Sequence, residues 1–539
     1  MLLPIIATVV YVLVLILLGY VGYRGTKNTK DYMLAGRQIH PFIMALSYGA
    51  TFISTSAIVG FGGNAGLFGM SLLWLTFLNI FVGVFIAFVV FGKRTRKMGH
   101  NTDAHTFPEL LGRRFQSRFI QGFSGLVIFL FMPVYTAAVL KGGVGFLSTQ
   151  FNLDFDVALL IFVVVMAVYV SLGGMKGVMY TDAFQGVIMF AGMALLLIFV
   201  YAKLGGVTPA HLSLTNLMDE DSIREQTAKL AAGGFQGWTR MPVFNSVYWW
   251  SVVSSVVMGV GIGVLAQPQL VVRFMTVKSN RELNRAVVSG GVFILMMTGV
   301  AFVVGALSNV MFFRQTGQTS LAAAGGVVDN IIPTFLKNFL PEWFGTVFLL
   351  AMLAAAMSTL ASLYHAAGTA IGRDVFSKGF GIKVNSLIVT KSGVLVTILL
   401  SGLLAFAGNR LKTDIGLIAQ ATSVFFGLCA AAFLPAYVGA LYFPRLSRKA
   451  AVASVTTGFF SSFIWIFFIH AKNASTIGLC KALFGKPHLL ADTALVNLSR
   501  VDSVLVTFPL AVLVIVAVGL LTKPDLSKGH VDQCFDGIR

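Results

Sequence analysis

Charge is scarce in this chain. Asp, Glu, Lys and Arg together make up 11% of its 539 residues, where a soluble globular protein carries about a quarter. With 57% of the residues hydrophobic, too little polar surface is left to keep such a length in water. A soluble fold is excluded, and an integral membrane protein is expected. Acid is scarcer than base, with 20 Asp and Glu against 39 Lys and Arg and a net charge of +19. That excess does not call for nucleic acid as a partner, because the basic residues cluster in short loops beside apolar runs. Cysteine is nearly absent. Cys429, Cys480 and Cys534 show no metal-ligand spacing and are expected in different compartments, so neither a disulfide nor a metal cluster follows. The run from Leu2 to Tyr23 lacks a basic leader and a small-residue cleavage site, and reads as a retained span. No loop is long enough to form a separate catalytic domain.

What the chain has instead is apolar runs of bilayer length. Thirteen are expected, at roughly 2–23, 41–66, 70–92, 119–149, 157–172, 179–202, 245–272, 286–314, 345–371, 386–408, 414–443, 450–470 and 501–522. Gly173 and Gly174 read as a tight turn, and "GNRLKTD" separates the pair within 386–443. Basic residues alternate with the spans. Arg24, Lys27, Lys30 and Arg37 follow the first, and Lys93, Arg94, Arg96, Lys97, Arg113, Arg114 and Arg118 follow the third. Lys176, then Arg273, Lys278, Arg281 and Arg285, then Arg373, Lys378 and Lys383, and finally Arg445, Arg448 and Lys449 continue the series. Positive loops stay inside. The chain is therefore expected in a plasma (inner) membrane, multi-pass, with its N-terminus outside and its C-terminus cytoplasmic.

Four polar features interrupt the apolar spans. "GATFISTSAIVGFGG" (49–63) places hydroxyls and glycines inside the second span. It fits close packing by small residues, and it also fits an unwound turn whose free carbonyls meet an ion. "GVGIGVLAQPQLVVRF" (259–274) breaks the seventh span in the same manner, with Gln267 and Pro268 at its centre. Five spans separate the two breaks, so they fall at corresponding places of two five-span repeats of inverted topology, and corresponding breaks mark a transporter's binding site. "AAAMSTLASLYH" (354–365) puts Ala355, Ser358, Thr359 and Ser362 on one helical face. Small residues and hydroxyls there suit a hard cation held by oxygens, or hydroxyls bonding back along their own helix. Asp182, in "YTDAFQ", is an ionisable group inside a span. It is either functional or a first-turn acid stabilised by the helix dipole. Lys141 either snorkels to the interface or faces the path of an anion.

Five stretches in series resemble the sodium:solute symporter family. They are "KDYMLAGRQIHPFIMALSYGATFISTSAIVGFGG", "LGGMKGVMYTDAFQGVIM", "AQPQLVVRFMTVKS", "AAAMSTLASLYHAAGTAIGRDVF" and "FLPAYVGALYFPRLSRKAAVASVTTG". The resemblance runs from about residue 30 to about 465. It implies an all-α, LeuT-type polytopic fold of 13 transmembrane helices, built as a 5+5 inverted repeat with one extra helix in front and two behind. Residues 1–40 would then hold the extra first span, 41–202 and 245–443 the two repeats, and 444–539 the last spans and a short tail. It implies a sodium site made by the carbonyls of Ala50, Ile53 and Ala355 and the hydroxyls of Ser358 and Thr359. Asp182 and Ser362 would lie on the ion's way out or form a second sodium site, although Ala361 stands where such a site has another hydroxyl.

Solute contacts are expected from Thr51, Ser54, Ser56, Ala57, Lys141, Val260, Val264 and Gln267. Ser56 and Ala57 stand where sugar carriers have a polar pair. Val260 and Val264 stand where proline carriers have aromatic residues. Phe52 replaces their acid, a pattern similar to monocarboxylate carriers. The expectation is a symporter, not an enzyme, with Na+ as its coupling ion. Its partners would be a small organic solute, a monocarboxylate by this pattern, and the lipid bilayer, with no nucleic acid. An amino acid or vitamin as solute, a proton carried by Asp182 as coupling ion, and an ion channel are the alternatives.

Overall fold

The computed structural model describes residues 2–382, 386–410 and 417–538. Lys383 and most of the "GNRLKTD" linker lie outside the described residues. Among the described residues, eleven helices are long and apolar enough to cross a bilayer, two fewer than the expected thirteen. The shortfall has two sources. The second apolar run is split, so that its first half, Pro41–Phe52, is a short apolar helix of its own, and its second half is counted in one stretch with the next span, Ser56–Asn101. The fifth run is likewise short, Phe155–Val168, and joins the sixth across Gly174 (φ 55°, ψ −172°) in a single helix Phe155–Leu204. The expected turn there is one residue of reversed backbone, a conformation that suits glycine. Tyr32 packs against the space where a Cβ would stand.

Burial separates the helices by role. The apolar windows of Glu342–Gly379 and Ile418–Tyr442 are 89% buried within the protein, whereas that of Leu2–Arg24 is 17% buried. The first two form the centre of the bundle, and the last presents its side chains outward, where lipid supplies the apolar contact.

Both expected breaks exist, and local sequence explains each. Pro41 begins the first half-helix at a position where its missing N–H costs nothing. The helix stops at Phe52, and Ile53 turns extended (φ −93°, ψ 99°). Ser54 then caps the second half. Its hydroxyl accepts from Ser56 N–H at 3.1 Å and its carbonyl from Ala57 N–H at 2.9 Å. In the seventh span the helix ends at Ala266, Gln267 is extended (φ −73°, ψ 116°), and Pro268 starts the short helix Pro268–Phe274. The Gln267 amide reaches back to the Gly263 carbonyl at 3.2 Å and ties the two sides of the break together.

The glycines of the first break pack against neighbours. A Cβ on Gly63 would stand 2.3 Å from the Val328 carbonyl oxygen, and one on Gly305 would stand 2.2 Å from that of Gly62. The packing reading therefore accounts for the glycines, and the hydroxyls and carbonyls are left to be explained. At the end away from the basic loops, the segment between the sixth and seventh spans folds over the break. Trp238 is buried, donates its indole N–H to the Gly66 carbonyl at 2.9 Å, and accepts from Met70 N–H at 2.7 Å.

Candidate functional site

The first break opens directly onto the hydroxyl face of the central helix Glu342–Thr369. Ser358 Oγ lies 2.9 Å from the Ala50 carbonyl, 2.7 Å from that of Ala354 and 3.4 Å from that of Ala355. Thr359 Oγ1 lies 3.3 Å from the Ala50 carbonyl and 3.1 Å from that of Thr51. All of these residues are buried. Among the described residues, no main-chain N–H bonds to the Ile53 carbonyl. The structure thus brings Ala50, Ala355, Ser358 and Thr359 together, with Ile53 at the turn beside them. Every polar atom in the cluster is an oxygen. That donor set suits a hard monovalent or divalent cation and offers nothing to a soft metal.

Toward the basic end lies a second cluster, centred on a fully buried ion pair. Arg273 Nη2 is 2.8 Å from Asp182 Oδ2, and both side chains are 0% exposed. The same nitrogen is 2.5 Å from Thr51 Oγ1 and 2.5 Å from Ser362 Oγ. Arg273 Nε donates to Ser47 Oγ at 3.0 Å, and Nη1 to the Gln269 carbonyl at 2.5 Å. Ser47 and Thr51 hydroxyls donate in turn to Asp182 Oδ2 at 2.9 and 3.2 Å. Four chain segments meet at this point: the first half-helix, the helix bearing Asp182, the short helix Pro268–Phe274 and the hydroxyl helix.

Arg273 was expected in a basic loop, as part of the positive-inside series. It is instead inside the protein, one turn past Pro268, with its charge matched by Asp182. The signal in the sequence was its setting, "LVVRFM", a single base among apolar residues. Thr51 was expected to touch the solute, but it belongs to this ion-pair cluster. Asp182 and Ser362, expected together, lie together, with Ser362 Oγ 3.3 Å from Asp182 Oδ2.

Above the sodium candidates, a cavity of about 20 Å³ sits against the first break. It has room for a water or two. Ser54, Ala57 and Val260 line it, as expected from the sequence. So do Phe52, Phe302 and Phe426, and the polar Asn79, Tyr135, Thr298 and Thr422, which sequence reasoning missed. Asn79 Oδ1 is buried with no hydrogen-bond partner. Ser56, Lys141, Val264 and Gln267 do not line this cavity. Ser56 is buried beside the turn, and Gln267 is occupied in bridging the second break. On the other side of the ion pair a second cavity of about 20 Å³ is lined by Ser362, His365, Thr369, Gln269 and Asp374. The buried ion pair thus closes the way between two small cavities.

The chain shares its fold with a solved Na+-coupled sialic acid symporter in a substrate-bound outward-open state (TM-score 0.71, 18% identity, 97% of this chain and 99% of that one). It is 28% identical over 443 residues to the osmoregulated proline transporter OpuE of Bacillus subtilis, covering 81% of this chain and 83% of the relative. It is 27% identical over 456 residues to sodium/proline symporter 2 of Staphylococcus saprophyticus, covering 82% and 81%. These relatives are transporters and not enzymes. A model of one family matches residues 32–458, which takes in both breaks, the hydroxyl helix and the ion pair. On that match the chain belongs to the sodium:solute symporter family.

Proposed function

We propose that the protein is a sodium-coupled symporter that imports a small neutral amino acid across the plasma (inner) membrane. The N-terminus lies outside and the C-terminus in the cytoplasm, following the basic loops. The observation that carries the reading is the placement of the small cavity against Ile53. One turn of unwound chain borders both the cation oxygens and the solute cavity, so occupancy of either site stiffens the other. Sodium is held by the carbonyls of Ala50, Ile53 and Ala355 and the hydroxyls of Ser358 and Thr359, between two five-span repeats of inverted topology. It leaves toward the cytoplasm past Asp182 and Ser362 once the Arg273 pair opens.

The solute class follows from the cavity's orphan acceptor and from the relatives. Among the described residues, Asn79 Oδ1 is a buried acceptor without a partner. An ammonium group supplies it a donor, which a simple carboxylate lacks. The relatives include sodium/proline symporters, which supports an amino acid over the monocarboxylate expected from Phe52. The cavity as it stands has room for a water or two, so an amino acid enters only as the walls part, and the aromatic walls then face its apolar body. Val260, in the cavity wall where proline carriers have an aromatic residue, makes proline itself a poor fit.

Uptake into proteoliposomes from a panel of labelled neutral amino acids, proline and monocarboxylates, with and without a sodium gradient, tests the reading. Sodium-driven uptake of an amino acid supports it. Uptake confined to monocarboxylates overturns the solute class, and uptake indifferent to sodium overturns the coupling.

A further inference from the structure

At the basic end, four separate chain segments converge on a cavity of about 480 Å³. Arg113 comes from the short helix Phe107–Arg114, Arg118 from the start of the helix Arg118–Phe151, Lys378 from the turn that follows the hydroxyl helix, and His530 from the tail helix Lys528–Phe535. The acid in its lining is Glu109, and that carboxylate is already engaged. Oε1 accepts from Arg113 at 2.6 Å and from Arg373 at 3.0 Å, and Oε2 accepts from Arg373 at 2.7 Å. Two guanidinium groups on one carboxylate leave one positive charge in excess. Arg118 and Lys378 are exposed and add two more, and among the described residues neither makes an ion pair or a hydrogen bond to another side chain.

Like charges drawn to one void from positions far apart in the chain repel one another unless an anion completes the set. Gln116, exposed at the same wall, adds a neutral donor, whereas the Gln121 amide already donates to Asp374 Oδ1 at 2.8 Å. The level is also informative. Phe119, next to Arg118, is 50% exposed on the outer apolar surface of its helix, which puts the cavity mouth where bilayer meets cytoplasm. Basic pockets between spans on that side take phosphate head groups.

We propose that this cavity binds a phosphate group, the chemistry shared by an acidic phospholipid head group and a soluble phosphate. The ligand fastens the tail helix to the bundle. The tail is already attached by Asn101 Nδ2, which donates to the carbonyls of Cys534 and Asp536 at 3.2 and 2.8 Å, by Gln533 Nε2, which donates to the Asn101 carbonyl, by His530 Nε2 at 3.2 Å from the Arg114 carbonyl, by the Lys97–Asp536 pair, by Arg114 over the Phe535 ring and by buried Cys534; none of these reaches the helix of Arg118 or Lys378. A phosphate reaching Arg118, Lys378 and His530 ties the tail to the helix of Arg118 and to the end of the chain segment that carries Ser358 and Thr359.

The test uses the full-length purified protein. Thermal midpoints are followed against inorganic phosphate, against chloride at matched ionic strength, and in nanodiscs of neutral lipid with and without phosphatidylglycerol. An Arg118→Gln, Lys378→Gln variant is compared with an Arg281→Gln, Arg285→Gln variant, which removes the same charge at the same end but outside the cavity. The native protein and the second variant are expected to gain stability from phosphate or phosphatidylglycerol, with apparent affinity lower in the cavity variant by on the order of tenfold or more. A response to the lipid alone assigns the head group, and a response to inorganic phosphate assigns a soluble ligand. Equal responses in the two variants, an equal response to chloride, or no response from the native protein overturns the proposal. A measurement that needs no variant is acetylation of Lys378 in the native protein, which ligand is expected to slow while leaving Lys278 unaffected. Unchanged Lys378 labelling at saturating ligand also overturns it.

Discussion

The Arg273–Asp182 pair offers the most direct test of how the core is held closed. Both groups are 0% exposed and 2.8 Å apart. Changing Arg273 to Gln leaves a buried carboxylate facing Ser47, Thr51 and Ser362 hydroxyls alone. Removing one member of a buried pair costs about 3–5 kcal/mol, while removing both costs far less. The thermal midpoint of Arg273→Gln is therefore expected to fall steeply, and that of the Arg273→Gln, Asp182→Asn double variant to recover most of the loss. The pair also pins four segments at one point, so opening the basic end must break it. Each 1.4 kcal/mol removed from the closed state is worth about a factor of ten in population. A cysteine at Thr369, which lines the cavity on the side of the pair toward the basic loops, reports that opening. The native Cys429, Cys480 and Cys534 are all buried, so background labelling by a membrane-impermeant maleimide is low. Labelling from the side of the basic loops is expected to rise more than tenfold in Arg273→Gln. Additive midpoints in the double variant, or unchanged labelling, would refute the argument.

Other consequences are sharper in one measurement each. Ser358→Ala or Thr359→Ala takes one charge-assisted oxygen out of the cation's shell and is expected to raise the sodium concentration for half-maximal uptake by about tenfold; unchanged sodium dependence counts against the site. Tyr135→Phe and Asn79→Ala are expected to weaken solute binding with sodium dependence in the absence of solute unaltered, as read by calorimetry of each ligand separately. Glu109 is buried, which alone would raise its pKa, but hydrogen bonds from His105 and Arg373 and the charges of Arg373 and Arg113 outweigh burial and hold it well below the usual carboxylate range. Its contribution to stability is therefore present above the unfolded carboxylate value of about 4.3 and is lost as pH falls through the lower folded value. Acid unfolding of the native protein should show this loss, and Glu109→Gln should lower the neutral-pH midpoint and flatten the acid limb. Gly69→Ala is expected to impair folding, because Gly69 has φ 69° and an added Cβ would stand 1.9 Å from the Trp238 carbonyl oxygen.

The sequence made the broken spans legible because backbone breakers and hydroxyls are rare in lipid, and five motifs in order tied them to one architecture. The meeting of Ser358 and Thr359 with the first break was legible for the same reason: the two share a face whose spacing is fixed by the helix. The ion pair was not. Arg273 sits five residues beyond Pro268, close enough to the basic loop to be counted with it, and only the angle of the short helix Pro268–Phe274 turns it inward. The small cavity beside the first break was legible in part, since Ser54, Ala57 and Val260 in its wall come from the breaks themselves. Asn79, Tyr135, Thr298 and Thr422 come from four other spans, where a lone polar residue looks like any other satisfied by its own helix. Thr298 and Thr422 do bond back to Ile294 and Ile418 carbonyls, so their presence in the wall is decided by helix packing alone.

The stretch "GATFISTSAIVGFGG" carries two separate devices that overlap in sequence. Gly62 and Gly63 let backbones approach, and a side chain at Gly63 would collide with the Val328 carbonyl. Residues 50–54 do something different. Where the helix stops at Phe52, the carbonyls of Ala50 and Thr51 lose the N–H partners that a continuing helix would supply. Ser358 and Thr359 hydroxyls cross from the central helix to take their place. A buried carbonyl without a partner is costly, so this loan of hydroxyl protons stabilises the broken helix when no ion is there. For the sodium site proposed above, the same hydroxyls would rotate their protons away and present oxygen, and no helical bond would have to break, because none was made. The adjacent Ile53 carbonyl, which no main-chain donor among the described residues reaches, stands between that oxygen cluster and the cavity that Ile53, Ser54 and Ala57 line, so one backbone atom would link the two proposed sites.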